Sequence, residues 1–380
     1  MRLDYLDFKD KLDSKKRNTT NLAEDIANRP IFLFGAGQTA LHIMSNLNED
    51  ILYGLIDETP EKQGQDFHGK KIFSFEDVIN KFHYDFCVVI SIFSPRVSYL
   101  DIKNRLVEKY NLDPKNIFSI WDISLFQNKC MPYYHFDLPE KILARLDRYE
   151  LINQKLGKES QKVLKQFLNL RILGSYTSLD KVKSIFELLI DKVKKTDEIF
   201  YIDGGAFDGD TVLEFINSFQ GFHYRVFAFE PDKSNYAKLI SIQNDSSLIL
   251  NQNFFPEQKA LWSSRQRLPF RNSGDMGSSI DESSPECVLT ESIDGLMDQI
   301  KNHQCLIKFD LEGVELEALK GAVKVISLFK PILIISVYHK VDDLLEIFNF
   351  IEELVPNSYK YELRQFGADG SDLLLYAIPN

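Results

Sequence analysis

The chain has 380 residues, of which 44% are hydrophobic and 27% charged, and its formal net charge is −11. This length exceeds that of one compact domain, so we expect two. The acidic charge argues against a nucleic acid as the main partner, because phosphate binding needs clustered cations. The apolar runs are too short to span a bilayer, the N-terminus lacks the apolar segment of a signal peptide, and the cysteines form no zinc or disulfide pattern. We therefore expect a cytoplasmic protein.

Apolar runs alternate with amphipathic helical segments in the first third of the chain. The runs cover residues 31–34, 51–56 and 86–92, and helical spacings follow the first and the last of them. This alternation predicts a parallel sheet with crossover helices. We expect a Rossmann-like domain over residues 1–125.

A glycine turn follows the first of these runs. Gly35, Gly37 and Gln38 belong to a G-x-G-x-x-A pattern, and Asp57 follows the second run roughly 20 residues later. The pattern is typical of dinucleotide sites, and it also resembles the N-terminal domains of bacterial sugar-nucleotide acyltransferases. We favour a nucleotide or nucleotide-sugar site here, because no catalytic lysine or tyrosine motif for hydride transfer accompanies the turn. An NAD-linked or bifunctional oxidoreductase, and a domain that binds nothing, remain the alternatives.

Strand signals disappear between residues 126 and 195. Apolar residues recur there at helical spacings among lysines and glutamates, which predicts a helical connector. From residue 196 to residue 380 strands and helices alternate again. The chain is thus predicted to hold two parallel-sheet α/β domains joined by helices.

The strongest motif opens the second domain. An apolar run ends in a glycine-rich turn whose residues are Asp203, Gly204, Gly205, Ala206, Phe207 and Asp208. Glycines let the backbone approach a ligand closely, whereas the carboxylates would repel the pyrophosphate of a dinucleotide. The sulfonium and amino-acid end of S-adenosylmethionine suit this turn better.

An acid at the end of the next strand supports the same ligand. Glu230 precedes Pro231 at the end of an apolar run. In doubly wound folds an acid in this place accepts both ribose hydroxyls. The alternative for Glu230 is a charge at a helix N-terminus.

These motifs resemble the FkbM family of methyltransferases. The turn from Asp203 is similar to the first motif of the family, and residues 229–231 are similar to the second. Residues 307–322 (IKFDLEGVELEALKGA) resemble its most characteristic stretch, and residues 331–340, 361–364 and 374–377 resemble its last strands. The resemblance implies a seven-stranded class I methyltransferase fold that acts mostly on hydroxyls of sugars and natural products.

Candidate catalytic groups follow the two central strands. The strand before Asp310 delivers Asp310, Glu312 and Glu315 to the edge where open α/β sheets bind ligands, and Asp310 and Glu312 also count as cofactor-binding candidates. His339 ends the next strand and is suited to take a hydroxyl proton, with an ionisation expected near about 6.5. Asp310 is the rival base, or the group that orients His339. Lys308 is a third candidate, which we expect to pair with a carboxylate.

A divalent metal remains an alternative at this edge. Asp310, Glu312 and His339 could ligate a hard cation together with water, although the FkbM resemblance does not demand one. The alternative for Glu315 and Glu317 is that they are solvated helix charges, which we expect of Glu317.

The sequence therefore predicts O-methylation with S-adenosylmethionine as cofactor. The expected acceptor is a hydroxyl of a small molecule, a glycan or a nucleotide-sugar in glycan biosynthesis. A non-catalytic sugar-nucleotide-binding protein is a further alternative, and the sequence leaves a homodimer open.

Overall fold

The structure is a computed structural model that describes residues 2–26, 29–45, 52–93, 97–122, 137–176, 184–194, 197–244, 253–272, 279–301, 303–367 and 370–380, with only the backbone for residues 17–26. The chain divides into two units. The first consists of Met1–Gln154, Lys158–Asp180 and Gln365–Asp372, and the second of Lys155–Gly157, Lys181–Arg364 and Leu373–Asn380.

Six strands form the sheet of the first unit. They are β1 (Ile31–Phe34), β2 (Leu52–Ile56), β3 (Asp66–Phe67), β4 (Lys70–Phe73), β5 (Cys87–Ile90) and β6 (Ile117–Phe118), in the order β3-β4-β2-β1-β5-β6. All neighbours are parallel except β3 and β4. The side chains of β1 alternate between two cores, with Leu33 on one face and Phe32 and Phe34 on the other. This confirms the predicted parallel sheet.

Seven α-helices are described between residues 5 and 173. They are α1 (Tyr5–Ile26), α2 (Gln38–Met44), α3 (Phe75–Phe82), α4 (Tyr99–Tyr110), α5 (Pro139–Leu143), α6 (Leu146–Lys155) and α7 (Lys158–Leu173). Ser74 and Ser98 cap α3 and α4, because each side chain accepts an N–H of the first turn. Helices α5 to α7 lie in the segment predicted as a connector, and α5 and α7 pack against α1 within the first unit.

The second unit contains the remaining strands. They are β7 (Ile199–Gly204), β8 (Tyr224–Phe229), β9 (Phe254–Glu257), β10 (Ala260–Leu261), β11 (Arg267–Arg271), β12 (Ser279–Ile280), β13 (Cys287–Glu291), β14 (Gln304–Phe309), β15 (Ile332–Ser336), β16 (Tyr359–Gln365) and β17 (Leu373–Pro379). A seven-stranded sheet has the order β16-β17-β15-β14-β7-β8-β9, and a four-stranded sheet the order β10-β13-β11-β12. In the larger sheet β17 is antiparallel to β15, while the strands from β15 to β9 are parallel.

Helices of the second unit alternate with these strands. They are α8 (Asp210–Ser218), α9 (Lys233–Gln243), α10 (Met297–Ile300), α11 (Glu315–Lys320), α12 (Val323–Phe329) and α13 (Asp343–Leu354). Because β7, β8, β14 and β15 are parallel, their carboxyl ends share one edge, and the loops that follow them form the candidate site. Both units confirm the predicted α/β fold class. Within the described residues, no helix is long and apolar enough to cross a membrane.

Candidate active site

Backbone contacts to both neighbouring strands fix the turn after β7. The N–H groups of Gly205 and Ala206 donate to the carbonyl oxygen of Phe229, at 3.0 and 3.1 Å. Gly205 has φ +71°, and a Cβ at this position would lie 1.8 Å from the carbonyl oxygen of Asp310. Only glycine fits there, so the turn from Gly204 and the loop after β14 meet with backbone against backbone.

The turn continues through residues that bend the chain into α8. Phe207 has φ +47° and Gly209 has φ +86°, both in the left-handed region. Asp208 lies half-buried between them. At the start of α8, burial raises the pKa of Asp210. The turn therefore carries the carboxylates that the sequence predicted at the cofactor edge.

Glu230 directly follows β8, and its carboxylate lies across the glycine turn. It accepts the N–H of Phe207 at 2.9 Å and the N–H of Asp232 at 2.8 Å. Burial raises the pKa of Glu230 to about 7, although these two N–H groups favour the charged form. The helix that follows Pro231 is capped by Asp232, whose carboxylate accepts two N–H groups of its first turn. Glu230 is therefore not required as the cap of that helix.

A buried ion pair joins β7 to β14. Asp203 and Lys308 are register partners on the two strands, and their side chains meet at 2.9 Å with almost no exposure. Asp203 also accepts the hydroxyl of Thr211 at 2.5 Å, and Lys308 lies 3.4 Å from the carbonyl oxygen of Gly205. Burial opposes the charge of Lys308, but Asp203 and Asp310 together raise its pKa. Charged Lys308 thus pairs with Asp203 near the end of β7, the strand that leads into the glycine turn.

Three carboxylates surround His339 after β15. Its Nδ1 lies 2.9 Å from Oε1 of Glu315, and its Nε2 lies 3.4 Å from Asp310 and 3.7 Å from Glu312. The His339 and Glu315 side chains are 2% and 1% exposed, whereas those of Asp310 and Glu312 are 34% and 33% exposed. The Nδ1–H direction is not aligned with Glu315, so this contact is an ion pair of hydrogen-bond length. Both ring nitrogens are buried, and Nε2 lies on the side of the two carboxylates that are partly exposed.

The cluster changes the expected ionisation of His339. Burial opposes the imidazolium, but the charges of Glu315, Asp310 and Glu312 raise the pKa of His339 to about 10. The surroundings of the ring therefore differ from those of the solvated imidazole, for which an ionisation near about 6.5 is expected. Sequence analysis used the value of a solvated imidazole, because it could not count the carboxylates that the fold brings to the ring.

Glu315 lies at the edge that the sequence predicted and is not a solvated helix charge. It begins α11 but is buried, and its Oε1 accepts the N–H of Leu311 at 2.7 Å and that of Gly313 at 3.4 Å. Glu317 is the exposed partner of Lys320, as expected for a surface charge. The sequence placed Glu315 at this edge, on the first turn of the helix that follows, but did not predict its contact with His339.

The same cluster has the donor atoms of a cation site. Ligand atoms of Asp310, Glu315 and His339 all lie within 4.8 Å of one another. The set differs from the predicted alternative by containing Glu315 in place of Glu312. In this arrangement Glu315 Oε1 is already engaged by backbone N–H groups and by the imidazole.

The glycine turn of the first unit is closed by Asp57. Its carboxylate accepts the N–H of Ala36 at 2.9 Å and the ammonium of Lys62 at 3.1 Å. Burial opposes the charge of Asp57, but its hydrogen bonds lower its pKa. A Cβ added to Gly37, just before Gln38, would meet nothing within 4 Å.

The order of the seven strands, the glycine turn after β7 and the acid after β8 define a class I methyltransferase domain. Residues 203–363 match the family described as the methyltransferase FkbM domain. The chain carries an FkbM domain and is a methyltransferase, which confirms the resemblance found in the sequence. Residues 27–118 match the family described as C2185-like, N-terminal.

Solved structures with this fold are similar to the chain. The methyltransferase FkbM of Methylobacillus flagellatus KT is 20% identical, with a TM-score of 0.76 over 98% of this chain and 100% of that one. The precorrin-6y C5,15-methyltransferase of Geobacter metallireducens GS-15 is 12% identical, with a TM-score of 0.31 over 54% of this chain and 94% of that one. The first likeness supports the fold, and the second is too low to add to it. No curated protein matches the chain.

Proposed function

We propose that the chain transfers the methyl group of S-adenosylmethionine to a hydroxyl oxygen of a sugar-containing acceptor. One observation carries this proposal: the turn with Glu230 and the cluster around His339 lie at the carboxyl edge of one parallel sheet. A methyl donor bound at the turn with Glu230 would face a proton acceptor in the cluster around His339. The FkbM domain supports the class of reaction, and the choice of acceptor rests on the sequence resemblance.

The cofactor contacts follow from the charges at this edge. Glu230, ionised, accepts the two ribose hydroxyls beside Pro231. The backbone from Gly204 to Phe207 approaches the amino-acid end, where glycine leaves room for close contact. Asp208, with Asp310 and Glu312, offers carboxylates to the ammonium and the sulfonium.

His339 accepts the proton of the acceptor hydroxyl. Its Nε2 is buried beside the half-exposed Asp310, which lies 3.4 Å away, so the acceptor hydroxyl would reach the nitrogen alongside that carboxylate and be oriented by it. Methyl transfer is an in-line displacement, so positioning of the oxygen against the methyl group supplies much of the rate. Lys308 contributes indirectly, by keeping Asp203 paired beneath the turn.

Product analysis tests the reaction. The full chain is incubated with S-adenosylmethionine and a panel of free sugars, glycans and nucleotide-sugars, and the methylated atom is identified by mass spectrometry and NMR. The expected product carries a methyl ether. Methylation of nitrogen or carbon, or turnover of a nucleic acid in preference to every sugar, would remove the proposal.

The proposal assigns no metal ion to the reaction. Oε1 of Glu315, one of the three ligand candidates, already accepts backbone N–H groups and contacts His339, whereas its Oε2 is buried without a hydrogen-bond partner. Activity is therefore expected to survive exhaustive dialysis against a chelator. A loss that Mn²⁺ or Mg²⁺ restores would instead make Asp310, Glu312 and His339 cation ligands.

We propose a nucleotide or nucleotide-sugar site at Gly35, Gly37, Gln38 and Asp57 in the first unit. The open space above Gly37 supports it, because a ligand can approach the backbone there. The acidic net charge of the chain supports an enzyme without a nucleic-acid partner. A homodimer is tested by sedimentation of the full chain.

A further inference from the structure

We propose that Glu315 is a positioning residue for methyl transfer: it holds the His339 ring so that Nε2 faces the acceptor. The proposal rests on the proposed function, since it assumes that His339 receives the hydroxyl proton. It adds a residue that acts through the base rather than on the substrate.

The carboxylate of Glu315 is fixed before it meets the imidazole. Its Oε1 accepts the N–H of Leu311 at 2.7 Å and lies 2.9 Å from Nδ1 of His339. The loop between them packs against the same histidine, because a Cβ added at Gly313 would lie 3.6 Å from the Cβ of His339. A backbone-anchored carboxylate at one ring nitrogen sets which nitrogen keeps its proton.

The two sides of the ring have opposite environments. Glu315 lies on the buried side, while Asp310 and Glu312 lie half-exposed on the Nε2 side. Asp343 at the start of α13 and Lys340 complete the charged groups around the cluster. Nε2 is itself buried, beside the partly exposed Asp310 and Glu312. A base oriented by a buried carboxylate at one nitrogen, with its other nitrogen on the side from which the substrate comes, is the arrangement used to activate hydroxyl groups. Contacts of this kind are often poorly aligned before the substrate binds, as the Nδ1–Glu315 contact is here.

A purely structural role for Glu315 would consist of holding the loop of Leu311 and Gly313. Glu315→Gln separates the two roles, because the amide oxygen can still accept the N–H of Leu311 while the charge beside Nδ1 is lost. Glu317→Gln removes an equal charge from the exposed face of the same helix and serves as the matched control.

Two measurements on the folded full chain test the proposal. In an NMR titration of histidine-labelled protein, with His339 assigned among the seven histidines, Glu315→Gln should lower the pKa of His339 by about one to three pH units. The midpoint of the pH–rate profile should fall by the same interval. On the high-pH plateau, where His339 is neutral in both proteins, kcat should be reduced at least about tenfold, with the KM for S-adenosylmethionine within about twofold. Glu315→Asp should recover part of kcat.

Each outcome decides the proposal. An unchanged His339 titration in folded Glu315→Gln overturns it, and so does a shifted titration with an unshifted pH–rate profile. The titration needs no acceptor, so it distinguishes a failure of the Glu315–His339 coupling from a failure of hydroxyl methylation. If the product is methylated on nitrogen or carbon, the proposed function fails even where the titration shifts.

Discussion

At the scale of single residues, the surroundings of each titratable group in the site decide its pKa. Glu230 is buried against two N–H groups, and burial raises its pKa to about 7. His339 is also buried, but the carboxylates around it raise its pKa to about 10. Cofactor binding and proton removal therefore depend on pH in separate ranges.

The affinity for S-adenosylmethionine is predicted to fall below about pH 7. Glu230 must be ionised to accept both ribose hydroxyls, and its raised pKa means that it is protonated below about 7. Glu230→Ala should weaken binding by about 1.5–3 kcal/mol for each charged hydrogen bond lost and should abolish this pH dependence. Calorimetry from pH 5.5 to 8.5 measures both, with the exposed Glu353→Gln as control. Equal affinities for Glu230→Ala and the wild type would rule out the ribose contact.

The rate of methyl transfer is predicted to rise with pH towards about 10. A base must be neutral to accept a proton, and His339 loses its proton only as the pH rises through about 10. His339→Gln should lower kcat by about 10²–10⁴-fold and remove this rise. Stopped assays from pH 6 to 10.5 give the profile, and circular dichroism checks the fold of the variant. A wild-type rate that is flat above about pH 6 would point to Asp310 as the base instead.

At the scale of elements, the site depends on how β7 meets its neighbours. The turn after β7 meets β8 and the loop after β14 with backbone against backbone, and the side chains below it form a buried ion pair. Neither feature touches the expected acceptor, yet both fix the edge on which it binds. Substitutions here are therefore expected to act on cofactor binding and stability together.

Gly205→Ala is predicted to abolish cofactor binding. The new Cβ would lie 1.8 Å from the carbonyl oxygen of Asp310, so the turn must move. Gly221→Ala is the matched control, because Gly221 also has a positive φ, of +80°, but nothing within 4 Å of an added Cβ. It should cost only the left-handed backbone penalty of about 1–2 kcal/mol and leave binding intact. Thermal melts with and without S-adenosylmethionine compare the two, and similar behaviour of both variants would show that close approach is unimportant.

Removing one partner of the Lys308–Asp203 pair is predicted to lower the free energy of unfolding more than removing both. Lys308→Met leaves Asp203 buried and unpaired, which should cost about 3–5 kcal/mol of unfolding free energy. The double variant Lys308→Met with Asp203→Asn should recover part of that loss, since no charge is left in the core. Urea unfolding of the wild type, Lys308→Met, Asp203→Asn and the double variant gives the coupling. If the single and double variants lose the same stability, the pair is not the source of the effect.

At the scale of the whole molecule, two parallel-sheet units each carry a glycine turn and an acid after the next strand. In both units the acid accepts an N–H of the turn, Asp57 from Ala36 and Glu230 from Phe207. The repeated arrangement supports two ligand sites of different chemistry on one chain.

The two sites are predicted to respond to different ligands. A ligand that binds only the folded protein raises the melting temperature by mass action. UDP-glucose should stabilise the wild type and Glu230→Ala but not Gly37→Ala, whose Cβ meets no protein atom and would occupy ligand space. S-adenosylmethionine should stabilise the wild type and Gly37→Ala but not Glu230→Ala. If no nucleotide, dinucleotide or nucleotide-sugar shifts the melting temperature of the wild type, the site in the first unit is abandoned.

The sequence by itself determined the alternation of strands and helices, the two glycine turns and the acid after β8. These features are local, because a turn that needs glycine and a strand that needs apolar residues leave their pattern in consecutive positions. The same locality explains why Asp310 and His339 could be placed at one edge, since each directly or closely follows a recognisable strand.

The tertiary structure alone decided the partners and charges of these groups. Asp203 meets Lys308 through strand register, and Glu315 reaches His339 because α11 begins beside the loop after β15. A pKa depends on every charge and on the depth of burial around the group, and neither quantity is written in neighbouring positions of the chain. For this reason the sequence predicted His339 as a base with an ordinary pKa, whereas only the fold brought together the carboxylates that raise it.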